Sequence, residues 1–187
     1  MRDWLVGHWV AGAGFMAAAL LAVVPALTLP PVVLLIFLHS PGYMIHQVEE
    51  HAGDRFRRFA NTVVFDGREG LTRMAVLVVN LPIVWGLNLA AFYAALAYGP
   101  GYGLVVPYAM LVNALTHVAV GARLRRYNPG LATSLVLFLP LSLATLFAVV
   151  ATGAASLPAH LWSLAGALVL HLAIIAQVKF RLRRLPA

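Results

Sequence analysis

The chain has no cysteine. Disulfides and thiolate metal ligands are therefore excluded, and any bound metal must rely on imidazole or oxygen ligands. Charge is scarce as well. Only 10% of the 187 residues are charged, and 6 Asp and Glu stand against 13 Lys and Arg. Soluble domains carry roughly 25% charged residues. Here 62% of residues are hydrophobic and the mean hydropathy is +0.88, values suited to lipid as the solvent. Missing too are a Walker loop, a G-x-G-x-x-G fingerprint and an H-E-x-x-H pair, so those nucleotide and zinc-hydrolase templates do not apply.

What is present is a series of long apolar runs. A helix needs about 20 mainly apolar residues to cross the hydrocarbon layer. Six stretches qualify, near residues 8–27, 31–50, 74–97, 102–122, 131–152 and 158–178. The first lacks a clean small-x-small cleavage site, so it reads as a span rather than a signal peptide. Proline and glycine mark the joins in "PALTLPP", "GPGYG", "YNPG" and "TGAASLP". The expected fold is all-α, a single membrane-embedded bundle of six transmembrane helices over residues 1–187.

Charge placement orients that bundle. The basic residues fall at Arg2, in Arg55–Arg73, in Arg123–Arg126 and in Lys179–Arg184, and with six spans all four groups share one side. The opposite loops carry no charge. The positive-inside rule makes the basic side cytoplasmic, with both termini there, and a bacterial inner membrane is the expected location. The net charge of +7 thus serves topology and does not indicate nucleic acid.

The few intramembrane polar residues converge on one depth. His46 lies nine residues before Arg55, His117 six before Arg123, His171 eight before Lys179, and Asn80 seven after Arg73. At about 1.5 Å per residue, all four sit roughly 9–14 Å inside the basic border. On helix two, His39, Tyr43, His46, Glu49 and Glu50 share an arc of roughly 120°. Asn113 and His117, four apart, also share a face. Ionisable groups in a span almost always face the bundle interior or a water cavity. A cytoplasm-facing pocket on helices two, three, four and six is expected, with His39, Tyr43, Asn80, Arg126 and Tyr127 around a substrate. His51, about 140° from His46 on the wheel, is expected at the lipid boundary.

Imidazole and carboxylate ligands suit zinc, and also iron or manganese. The candidate ligands are His46, Glu49, Glu50, His117 and His171. Glu49 or Glu50 could act as general base, with Asn113 positioning water or stabilising an oxyanion. Bland readings stand beside these. The two glutamates could pair with Arg55, Arg57 and Arg58, and the histidines could be interhelical hydrogen-bonding groups.

The stretches "HQVEE" (His46, Glu49, Glu50), "NALTH" (Asn113, His117) and "RYNPGLATSLVLFLP" (Arg126 to Pro140) resemble the HXXEE-domain membrane proteins. The likeness spans roughly helices two to six. It implies a small polytopic membrane protein, and it supports the choice of residues more than any reaction. The functional expectation is a metal-dependent membrane enzyme, a hydrolase or oxidoreductase, acting on a lipid-like or isoprenoid-like molecule. The alternatives are a proton-coupled carrier using Glu49, Glu50 and His117 as a relay, and a metal-free glutamate-based intramembrane hydrolase. The small-residue face of Gly12, Gly14 and Ala17–Ala19 would also support close packing within one chain or in a homo-oligomer.

Overall fold

The computed structural model describes Arg2–Leu185. Among the described residues six helices are long and apolar enough to cross a membrane: α1 (Trp4–Ala26), α2 (Pro31–Val64), α3 (Arg73–Tyr98), α4 (Pro100–Leu124), α5 (Leu131–Ala151) and α6 (Leu157–Arg184). No strand occurs among the described residues. The chain is an all-helical integral membrane protein.

Local sequence explains the helix boundaries. Pro31 opens α2 in its first turn, where a missing N–H leaves no bond unmade. Ser156 caps α6 by accepting from the Ala159 amide at 3.4 Å, and Thr72 caps α3 through Ala75 at 3.0 Å. Arg125 ends α4 in a left-handed conformation, φ 47°.

α2 is the axis of the bundle. In its apolar window 61% of residues are buried, against 11% in α6, so α2 is surrounded by protein and α6 lies on the outside of the bundle. It packs against α1, α3, α4 and α5, while α6 packs chiefly on α4. Gly42 permits a close approach: a Cβ there would lie 3.4 Å from both Leu141 of α5 and Met110 of α4.

α2 also extends further than its apolar pattern predicts. After His51 the chain bends at Gly53 and Asp54, both at φ 63°, and continues as a helical arm to Val64. Glycine adopts that conformation without a Cβ penalty. Asp54 is held there by Arg57, with contacts of 2.6, 2.9 and 3.0 Å. The loop that follows is tied down rather than free. Asn61 clamps Leu71 with two bonds of 2.9 Å, Arg181 donates to the Glu69 carbonyl at 2.9 Å, and Arg68 donates to the Leu182 carbonyl. These contacts, with Arg126 stacked over Phe59 at 5.5 Å, gather three of the basic groups at one end of the bundle.

Candidate metal centre

The i, i+4 spacing on α2 sets His46 above Glu50, and α4 brings His117 to the same point. All three are buried, with 1%, 7% and 5% exposure. His46 Nε2 lies 3.5 Å from Glu50 Oε2, and His117 Nε2 lies 3.3 Å from Glu50 Oε1. Among the described residues this is the one group of three or more His, Asp or Glu with ligand atoms all within 4.8 Å. The His46 ring stacks on Phe138 of α5 at 4.2 Å, which fixes its plane.

Hydrogen bonds define which nitrogens are free. Asn128 donates its Nδ2 to the His117 carbonyl at 3.0 Å, so its Oδ1 must face His117 Nδ1 at 2.7 Å. His117 therefore donates from Nδ1. The Thr133 hydroxyl lies 2.5 Å from Glu49 Oε2 and donates its single proton there. It must then accept from His46 Nδ1, 2.7 Å away. Both imidazoles thus carry a proton on Nδ1 and turn Nε2 toward Glu50. Metal-ligating histidines are held in this way, with the distal N–H anchored to an oxygen acceptor.

The spacing agrees with that reading. Ligands about 2.0–2.1 Å from a tetrahedral zinc stand roughly 3.3–3.4 Å from one another. The two observed Nε2–oxygen separations, 3.3 Å to Glu50 Oε1 and 3.5 Å to Oε2, lie close to that value. Without a cation, each Nε2 would need a proton, from its own ring or from the Glu50 carboxyl, to avoid an uncompensated contact in a buried site. The group of two nitrogens and a carboxylate could hold a metal ion, and cysteine's absence leaves this chemistry intact.

Gly130 closes the group. It sits at φ 97°, and a Cβ there would lie 2.6 Å from His117 Cε1 and 2.8 Å from His46 Cε1. Only the bare backbone fits against the two rings. The chain reaches this point through "YNPG", whose Asn128 and Pro129 are buried with Gly130.

Glu49 takes another course. Its carboxylate receives the Ala132 amide at 3.1 Å, the Thr133 amide at 2.7 Å, the Thr133 hydroxyl and the Tyr127 phenol at 2.6 Å. It thereby caps the start of α5, where unpaired N–H groups and the helix dipole favour an anion. Partial burial, then the hydrogen bond from Tyr127 to Glu49, raises the phenol to about 12, so it remains a donor at neutral pH. Glu49→Gln is expected to lower stability by about 1–2 kcal/mol while the histidine–Glu50 group keeps its geometry. Thermal melts paired with metal analysis check this.

The other expected pocket residues are distributed around the bundle. Asn80 accepts from Gln47 at 3.0 Å, and Gln47 in turn accepts from Trp85 at 2.8 Å, locking α2 to α3. Tyr43 packs edge-on against Phe138 at 4.8 Å. His39 bonds the Leu35 carbonyl at 2.8 Å and keeps a buried, unpartnered Nε2. Asn113 holds a buried, unpartnered Oδ1 one turn from His117. Arg126 is exposed against Phe59. His171 lies on α6 and bonds its own helix at Ala167, 2.8 Å, outside the His46–Glu50–His117 group.

Position 51 differs from expectation. His51 is 6% exposed rather than at the lipid boundary, and its Nε2 lies 2.9 Å from Glu50 Oε2. The helical wheel fails there because α2 bends immediately afterwards. The returning arm lays Phe56 against both His51 and His117, at 5.7 and 6.0 Å, and Trp9 of α1 covers the other side at 5.1 Å.

Asn128, Gly130 and Thr133, which anchor and cradle the imidazoles, were not singled out by spacing. Their one signal was their place inside the "RYNPGLATS" stretch. No curated protein and no solved structure matches the chain. A family model described as "protein of unknown function with HXXEE motif" matches residues 37–145, more than half of the sequence, from α2 through most of α5. His46, Glu49 and Glu50 are that motif, and the chain belongs to the HXXEE family.

Proposed function

We propose that this protein is a metal-dependent membrane enzyme acting on a lipid-like substrate, with His46, Glu50 and His117 as the metal ligands. One observation carries the reading: two imidazoles with anchored Nδ1 protons turn their Nε2 atoms onto one buried carboxylate at ligand-to-ligand distances. A histidine pair with one carboxylate serves zinc in hydrolases and iron in oxygenases. Bound there, the metal would act as a Lewis acid toward a substrate oxygen or as a redox centre. The chain's own groups do the rest. Thr133 and Asn128 hold the ring tautomers, Phe138 fixes the His46 plane, and Phe56 with Trp9 shields the site from bulk water.

The positive-inside rule supports a cytoplasmic-leaflet site, with the basic end and both termini in the cytoplasm of a bacterial cell. Substrates resident in that leaflet carry a reactive head and an apolar tail. The test compares metal-free and zinc-, iron- or manganese-loaded protein incubated with a total membrane-lipid extract, with products read by mass spectrometry. The reading predicts that one lipid class is converted only by loaded protein and not by Glu50→Gln. Loaded protein that leaves every lipid unchanged would refute it.

One observation favours a second reading, a proton-coupled carrier. Buried polar atoms without partners continue away from the cluster at Asn113 Oδ1, Ser142 Oγ, Asn88 Oδ1 and His39 Nε2, positions where internal water would sit. A carrier would move protons across liposome membranes.

A further inference from the structure

Next to the metal centre lies a cleft of about 640 Å³ between the start of α1, the bend of α2 and the start of α3. That volume is within the range of small-molecule sites. Its walls divide by chemistry. Trp9, Val10, Met74 and Val76 give it apolar surface, while Arg73, Asp54 and His51 give it a polar end.

The polar end carries surplus positive charge. Asp54 is already engaged by Arg57 through three short contacts. Arg73 reaches Asp54 only through Nε at 3.4 Å, and its side chain is 66% exposed. Arg57 also reaches Glu69 at 3.4 Å, and Glu69 reaches Arg181 at 3.8 Å. Two carboxylates thus face three guanidiniums, and Arg73 is the one engaged only through Nε, which leaves a site for an anion. His51 is the shared wall: it lines the cleft while its Nε2 touches Glu50 at 2.9 Å. An occupant of the cleft therefore lies one side chain away from the metal ligands.

We propose that this cleft binds a membrane lipid with an anionic head, the head at Arg73 and the first tail carbons along Trp9, Val10 and Met74. That this lipid is the substrate rests on the metalloenzyme reading; that it binds does not. Gly7 supplies an independent handle. It lines the cleft, and a Cβ added there meets nothing within 4 Å, so a larger side chain has open space to enter.

The experiment uses the full chain in phosphatidylcholine nanodiscs with phosphatidic acid bearing a diazirine near the head end of one acyl chain. Cross-links are mapped by peptide mass spectrometry. Wild-type protein is expected to be labelled around Trp9 and Met74, and diacylglycerol with the same diazirine is expected to label there several-fold less. Arg73→Gln should reduce phosphatidic acid labelling about tenfold, the loss of one charge-assisted contact. Gly7→Phe should abolish it. His117→Ala, which removes a metal ligand, should label as wild type, so a failed metal centre and a failed cleft give different results. Labelling that ignores Arg73→Gln and Gly7→Phe, or that is equal for the neutral probe, overturns the proposal.

Discussion

His117→Ala is expected to reduce bound metal from about one ion per chain to background, with the protein still folded. His46→Ala and Glu50→Gln are expected to do the same. Each removes one of three donors converging on one point, and two remaining ligands do not hold a divalent ion against water and chelator. Asn128→Ala should have a graded effect. It leaves every ligand in place but frees His117 Nδ1, and such outer contacts are worth about 10–100-fold in metal affinity. Elemental analysis and competition with a chelator give these values. Stability gives a second readout. A ligand that binds the folded state at about 100 times its Kd adds about 2.7 kcal/mol, so added metal should raise the melting temperature of wild type and not of His117→Ala. If the cluster were only a buried hydrogen-bonded network, metal would change neither melt. Removing one partner would then cost about 3–5 kcal/mol by stranding a buried charge.

Gly130→Ala is expected to be the most damaging single-methyl change in the chain. Two penalties combine. A side chain at φ 97° is strained, at a cost of about 1–3 kcal/mol. The new carbon would also fall 2.6 Å and 2.8 Å from the two imidazoles, closer than atoms can approach. Relief requires both rings to move, and the His46–Thr133 and His117–Asn128 bonds break with them. The expected result is a loss of about 2–4 kcal/mol together with loss of metal. Gly12→Ala is the control. Its Cβ meets nothing within 4 Å, so stability and metal content should be unchanged. A Gly130→Ala protein as stable and as metal-loaded as wild type would mean that the imidazoles do not occupy these positions.

Much of this architecture was legible in sequence because lipid imposes simple rules. Hydropathy alone counts the spans, as the uncharged loops around Pro100 and Ser156 illustrate. The pairing of His46 with Glu50 and their meeting with His117 also follow from helical periodicity and depth. What periodicity does not supply is the end of a helix. The bend at Gly53 and Asp54 reverses the surroundings of His51, and it brings in Phe56, because a wheel assumes the helix continues. Nor does it supply long-range hydrogen bonds. Glu49 shares the arc of Glu50 on α2, yet its carboxylate satisfies the amides of α5, more than 80 residues away in sequence. Depth alone likewise places His171 level with His117. Depth does not report neighbours, and α4 stands as the chief contact of α6.

The central claim is that His46, Glu50 and His117 bind one metal ion. X-ray absorption at the metal edge of zinc- or cobalt-loaded protein tests it most directly, because the signal comes from the ligand shell itself. The account predicts two imidazole nitrogens and at least one oxygen at about 2.0–2.1 Å, with that imidazole-containing shell absent from His117→Ala, which retains no specifically bound ion. A shell of oxygen alone, or a spectrum that His117→Ala leaves unchanged, would contradict it.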